Sequence, residues 1–297
     1  MREEVADGGR VISRSQYQQS VVTGADDLMK HKESQMNPTT MATTIRSKGD
    51  AQVNTTRRTA LVVGVLFFLT FVTSIAAVFA YGHVLTDPNY ITGGGTDTRV
   101  FVGAFLELLL IITNMGCAVV LFPLLKRQNE AIALGYVVAR LVECTFILVG
   151  ILSVLAVVTL RQHAVSADAG SLVIVGKSLV AIKNWTFLLG PGFMDGIGTG
   201  FMLGWLMYRS GLVSRRVALL GVIGGPLLAA SGIAVLLGVI PQFSAVQGIA
   251  TAPEFLWEAF LALWLTFKGF NHVAPGGGKA PGVRAGTGSS VDAVVAA

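Results

Sequence analysis

The sequence predicts an all-α, polytopic membrane helical bundle of six transmembrane helices with disordered N- and C-terminal tails. Three observations predict it. The 297 residues are 53% hydrophobic and only 13% charged, whereas an average soluble domain is about 25% charged. Between residues 60 and 270 the apolar residues gather into six runs, each near the roughly 20 residues that cross a bilayer as a helix. One of these runs, Ala131 to Leu160, holds Arg140 and Glu143 three residues apart well inside it. Charges in hydrocarbon are costly unless something offsets them. Other spans must therefore wrap this one and supply partners.

Residues 1–56 carry seven basic and seven acidic side chains, few aromatics and no periodicity, which reads as a disordered tail without the apolar stretch of a signal peptide. Met36 and Met41 stand beside Met1 as candidate translation starts, and mass spectrometry of the natural N-terminus separates the three. Span one is expected over 60–81, behind Arg57 and Arg58. The following loop contains Asp87-Pro88-Asn89 and Gly93-Gly94-Gly95, both turn signals, and Thr96 or Asp97 can cap the next helix. Span two covers 100–125 and includes Glu107 and Asn114. A tight turn at Lys126–Glu130 leads to span three, 131–160. Residues 162–184 read as a semi-polar loop with room for a surface helix.

Span four covers 185–208. Its Gly192, Gly196, Gly200 and Gly204 recur every four residues, a small-residue stripe for close helix packing, and Gly190-Pro191-Gly192 predicts a kink or an unwound segment. Span five covers 217–240, with Gly224-Gly225-Pro226 inside it. Span six covers 253–270, where Thr251 and Glu254 have capping-box spacing. The Gly/Pro/Ala-rich end, 271–297, reads as a second disordered tail.

The net charge of +5 does not indicate a nucleic-acid partner, because the basic residues sit in short loops beside apolar runs. The expected partners are the lipid bilayer and a second copy of the chain through the glycine faces. Ten Lys/Arg flank one set of span ends and four, Arg99, Arg161, Lys177 and Lys183, flank the other. The positive-inside rule then places both termini in the cytoplasm.

At about 1.5 Å of rise per residue, Arg140, Glu143, Glu107, Asn114 and Glu258 fall at overlapping depths, with Asp195 near the midplane. They form a candidate buried polar cluster. Two readings stay open: a structural staple between spans two, three and six, or a substrate or proton site in which acids outnumber the single Arg. Glu254 is explained by capping alone. No catalytic residue, metal site or cofactor is expected. The chain has no His-Glu-x-x-His, no second spanning Asp for an aspartyl dyad, no spanning His beside Ser231 and no P-loop. Cys117 and Cys144 both lie within spans, so no structural disulfide is expected.

Several stretches resemble one known family: DPNYI at 87–91, DTRVFVGAFLELLL at 97–110, LFPLLKRQNEAIALGYVVARLVE at 121–143, LLGPGF at 188–193, LMYRSGLVSR at 206–215, LLGVIGGPLL at 219–228 and PEFLWE at 253–258. The family is domain of unknown function 4386, and the likeness covers about residues 57–270. It implies six spans and a bacterial cytoplasmic (inner) membrane, and no known reaction. Asp195 and Gly198 stand where the family often has Pro and Asn, which ranks Asp195 below Glu107, Arg140 and Glu143. Transport or sensing of a small molecule at the polar cluster is the leading expectation. A structural or partner-binding subunit, and a membrane-embedded enzyme on a lipid-like substrate with Glu107 or Glu143 as acid/base, are the alternatives.

Overall fold

In hydrocarbon every backbone N–H and C=O must find its partner inside the chain, and a helix does this within one segment. The structure, a computed structural model, describes residues 4–7, 10–13, 38–93, 96–163 and 168–271, with side chains from Thr56 onward. It divides into two compact units, 1–58 and 59–297. The first holds a short antiparallel pair, β1 (Glu4–Asp7) and β2 (Arg10–Ser13). The helix α1 (Pro38–Thr86) begins in the first unit and runs through the second. Helix is thus described from Pro38, inside the stretch expected as tail. The 271–297 tail, apart from Asn271, lies outside the described residues.

The second unit is a bundle of α1 from Thr59, α2 (Thr98–Leu125), α3 (Glu130–His163), α4 (Ala169–Ser210), α5 (Arg215–Leu236) and α6 (Ala245–Phe267). Five of these helices, α1 to α5, are long and apolar enough to cross a membrane. The sixth is 23 residues long, but Glu254, Glu258 and two Trp lower its hydropathy. Outer faces carry large apolar side chains, with Phe79 78% and Ile112 64% exposed. Such surface would aggregate in water and suits lipid.

The fourth rod departs most from expectation. The loop expected over 162–184 is largely helix, because Asp168 caps the start of α4 by accepting from the Ser171 amide at 2.9 Å. The rod does not break at Gly190-Pro191. It widens into π-helix over Leu188–Met194 and Gly196–Leu203, where the Asp195 amide donates to Gly190 O, five residues back. Proline lacks an amide and crowds the preceding turn, and the wider register accommodates both without unwinding. Gly211, at φ +69°, ends the rod in a left-handed turn.

α6 starts eight residues before the expected boundary, capped by Ser244, which accepts from the Gln247 amide. The capping box at Thr251 and Glu254 is therefore corrected: both residues lie inside the helix, and Thr251 Oγ1 donates to Gln247 O at 2.8 Å.

Two apolar cores bracket the interior. At the end holding the 126–130 and 211–214 turns, Phe67, Leu121, Leu203, Trp257 and Leu261 are fully buried. At the opposite end Tyr81, Val84, Ile91, Val154 and Val157 pack together. The polar side chains lie between these two layers.

Candidate functional site

The densest polar cluster is centred on Arg140 of α3, 3% exposed. Its Nη1 donates to Glu143 Oε2 at 2.7 Å, one turn along the same helix. The same nitrogen is 3.0 Å from Asp195 Oδ1 of α4, an ion pair whose alignment falls short of a hydrogen bond. Nη2 donates to Glu258 Oε1 of α6 at 3.1 Å. Asn114 of α2 donates from Nδ2 to Glu143 Oε1 at 3.1 Å. The Phe67 ring of α1 stands 5.9 Å from the guanidinium carbon. A guanidinium presents a planar fork of five donors, so one Arg can hold carboxylates from three helices at once.

Glu254 lies on the α4–α5 side of this cluster. It is 2% exposed, and no donor among the described residues reaches either carboxylate oxygen. A Cβ at Gly200 would sit 2.5 Å from Glu254 Oε2, so the carboxylate rests against the glycine backbone. Carboxylate oxygens of Asp195, Glu254 and Glu258 all lie within 4.8 Å of one another. Arg140 already pairs with two of these three, Asp195 and Glu258, which counts against a metal ion among them.

A second cluster joins α1, α2 and α4. Lys183 Nζ donates to both oxygens of Glu107 at 2.6 Å, and the Tyr81 hydroxyl donates to Glu107 Oε2 at 3.0 Å. Gly103 makes room for this, since a Cβ there would strike the Tyr81 ring at 2.7 Å. The structure thus brings Asn114, Arg140, Glu143 and Glu258 into one network and places Glu107 in another. Lys183, expected at a span end, is a correction: it is 5% exposed inside the bundle. Had the helical pattern been carried back from Trp185 to Asp168, Lys183 would have fallen on the face of Thr186 and Gly190, three and seven residues on. Glu254 was hidden by the plausible cap at Thr251.

Both clusters face one cavity of about 460 Å³. Its lining combines the polar Glu107, Asn114, Arg140, Glu143, Lys183, Asp195 and Glu258 with the apolar Phe71, Ile75, Val78, Phe187, Phe243 and Phe255. It extends from Thr70 and Arg140 up to Leu85 and Asn184, towards the end opposite the 126–130 turn. The Phe67–Trp257 core closes the other direction.

Residues 62–269 match a family described as Domain of unknown function (DUF4386). The chain belongs to this family. The DUF4386 match takes in every polar residue of both clusters. No curated protein and no solved structure matches the chain. Within the DUF4386 domain the glycine stripe of α4 faces α5: Cβ atoms at Gly196 and Gly200 would come 2.7 Å from Gly225 O and 2.4 Å from Gly225 Cα. That close approach seats α5 and α6 so that Glu254 and Glu258 reach the interior.

At the far end of α2 a third polar group ties the loop down. Asp97 accepts from Arg161, from Gln162 Nε2 at 2.9 Å and from the Tyr90 hydroxyl at 2.8 Å. Burial pushes the Asp97 carboxyl up, but these hydrogen bonds and the Arg161 charge outweigh it and hold it below its usual 3.8.

Proposed function

We propose that the protein binds a small molecule in the cavity between α1, α2, α3, α4 and α6, for transport or sensing, in the bacterial cytoplasmic membrane. One observation carries this reading: charged side chains from four helices line a cavity of about 460 Å³ rather than a sealed interface. That volume lies within the roughly 300–1,000 Å³ of small-molecule sites, and an apolar wall with a few convergent polar groups is their usual make-up.

Orientation belongs to the same proposal. With Lys183 inside the bundle, three basic residues instead of four (4 − 1) count for the cavity's end, against ten for the other. Both termini then lie in the cytoplasm and the cavity faces the outer side.

The test is a metabolite and lipid profile of cells lacking the protein, complemented with wild type or with Glu258→Gln at equal expression. A pool restored by wild type and left unrestored by the variant supports the reading. Equal restoration by both contradicts it.

A further inference from the structure

We infer that the cavity takes a lipophilic organic cation, which binds in exchange for a proton shared among Asp195 and Glu258, which line the cavity, and Glu254, which lies within 4.8 Å of both but outside its lining. The inference rests on the reading of the cavity as a ligand site and names the class of molecule.

The charges do not balance. Among the described residues, five carboxyl groups lie in the interior, Glu107, Glu143, Asp195, Glu254 and Glu258, against two cations, Arg140 and Lys183. Lys183 is matched by Glu107. The surplus of three therefore sits on the Arg140 side, where one guanidinium meets four carboxyls. An ionised carboxylate without donors in a low-dielectric interior is strongly unfavourable. Glu254, at 2% exposure with both oxygens unpartnered, is in that position. It requires a proton or a neighbouring cation.

The groups facing this trio are few. α3 supplies Arg140, Glu143 and the buried Tyr136 hydroxyl, α4 Asp195, and α6 Glu254 and Glu258. α2 supplies Asn114 through Glu143 and the buried Cys117 thiol, α1 the Phe67 ring against Arg140, and α5 backbone near Glu254. Arg140 keeps Nε without a partner among the described residues, but three carboxylates within 3.1 Å already meet its charge, and an anionic ligand would meet the surplus negative charge.

The walls suit the same class of molecule. Phe71, Phe187, Phe243 and Phe255 share the lining with Asp195 and Glu258. Aromatic faces attract cations and pack against apolar substituents. When a monocation enters, one proton leaves to solvent and the net charge of the cavity is unchanged. Binding must then tighten as pH rises.

The test uses the full-length wild-type protein in lipid nanodiscs with two probes of matched shape, tetraphenylphosphonium and tetraphenylborate. Saturable phosphonium binding that tightens from about pH 6 to about pH 8 is expected. No saturable borate binding is expected, and Glu258→Gln should weaken phosphonium about tenfold. Equal binding of both ions overturns the inference, and the wild type alone supplies that comparison should the variant fail to fold. Phosphonium affinity insensitive to both pH and Glu258→Gln also overturns it, as does absence of saturable phosphonium binding. Ser74→Cys on the cavity wall separates the two levels of failure. If a hydrophilic maleimide labels it while phosphonium fails to bind, the cation class falls and the cavity reading stands. If neither reacts nor binds, both fall.

Discussion

At the scale of single residues, the buried ion pairs set what the interior tolerates. Lys183 and Glu107, 6% and 9% exposed, neutralise each other at 2.6 Å. Removing one partner leaves the other as an uncompensated, largely buried charge, a loss of about 3–5 kcal/mol, whereas removing both is far milder. Lys183→Met is therefore expected to lower the unfolding midpoint in detergent sharply, and Glu107→Gln with Lys183→Met to recover most of it. A single variant as stable as wild type would contradict the pairing. The loop tie at Asp97 follows acidity. Because its folded carboxyl lies below the usual value, its contribution is present above the unfolded value and is lost as pH falls through the folded one. Wild type and Asp97→Asn should differ in stability at neutral pH, and the difference should shrink only as pH falls below 3.8 through the lower folded value. Residue identity was the most legible layer: Arg140 and Glu143 announce themselves as charges in an apolar run. Lys183 and Glu254 did not, since each sat where a loop or a cap explained it, and only their burial in the folded chain reveals otherwise.

At the scale of elements, the cores of the apolar runs were readable and their ends were not. Apolar periodicity marks where a helix meets lipid or core, but α4 and α6 continue into semi-polar residues that a run of hydropathy leaves out. The π-helical stretch of α4 was legible only as a disturbance around Gly190-Pro191; whether a helix kinks, unwinds or widens depends on what packs against it. Here α5 packs against it through glycine. A Cβ at Gly225 would lie 2.3 Å from Gly196 O and 2.5 Å from the Phe201 amide nitrogen, both backbone atoms that cannot swing aside. Gly225→Ala should cost at least about 1–3 kcal/mol or prevent folding. Gly248, near the start of α6, has nothing within 4 Å of its Cβ position. Gly248→Ala should be neutral or gain up to about 1 kcal/mol in the same unfolding assay. Similar effects for the two variants would contradict the close α4–α5 packing.

At the scale of the whole molecule, composition already pointed to a membrane bundle, and the family match with five long apolar helices agrees with it. The cavity was out of reach of the sequence. Depth along each helix can be counted from residue numbers, but whether two faces meet or leave a space between them depends on helix tilt and rotation. A fluorescent protein fused to the C-terminus should be fluorescent and alkaline phosphatase fused at the same point inactive, as expected for a cytoplasmic end; the reverse pattern would invert the orientation. Ligand entry requires the charged interior to be reachable from water at the end opposite the basic turns. Cysteine labelling in a background lacking Cys117 and Cys144 tests it most directly, with a membrane-impermeant maleimide added to right-side-out vesicles. Ser74→Cys, on the cavity wall, should be labelled, and Val63→Cys, fully buried in the opposite core, should not. If Ser74→Cys proves as unreactive as Val63→Cys, the interior is a dry staple and the cavity does not serve a ligand.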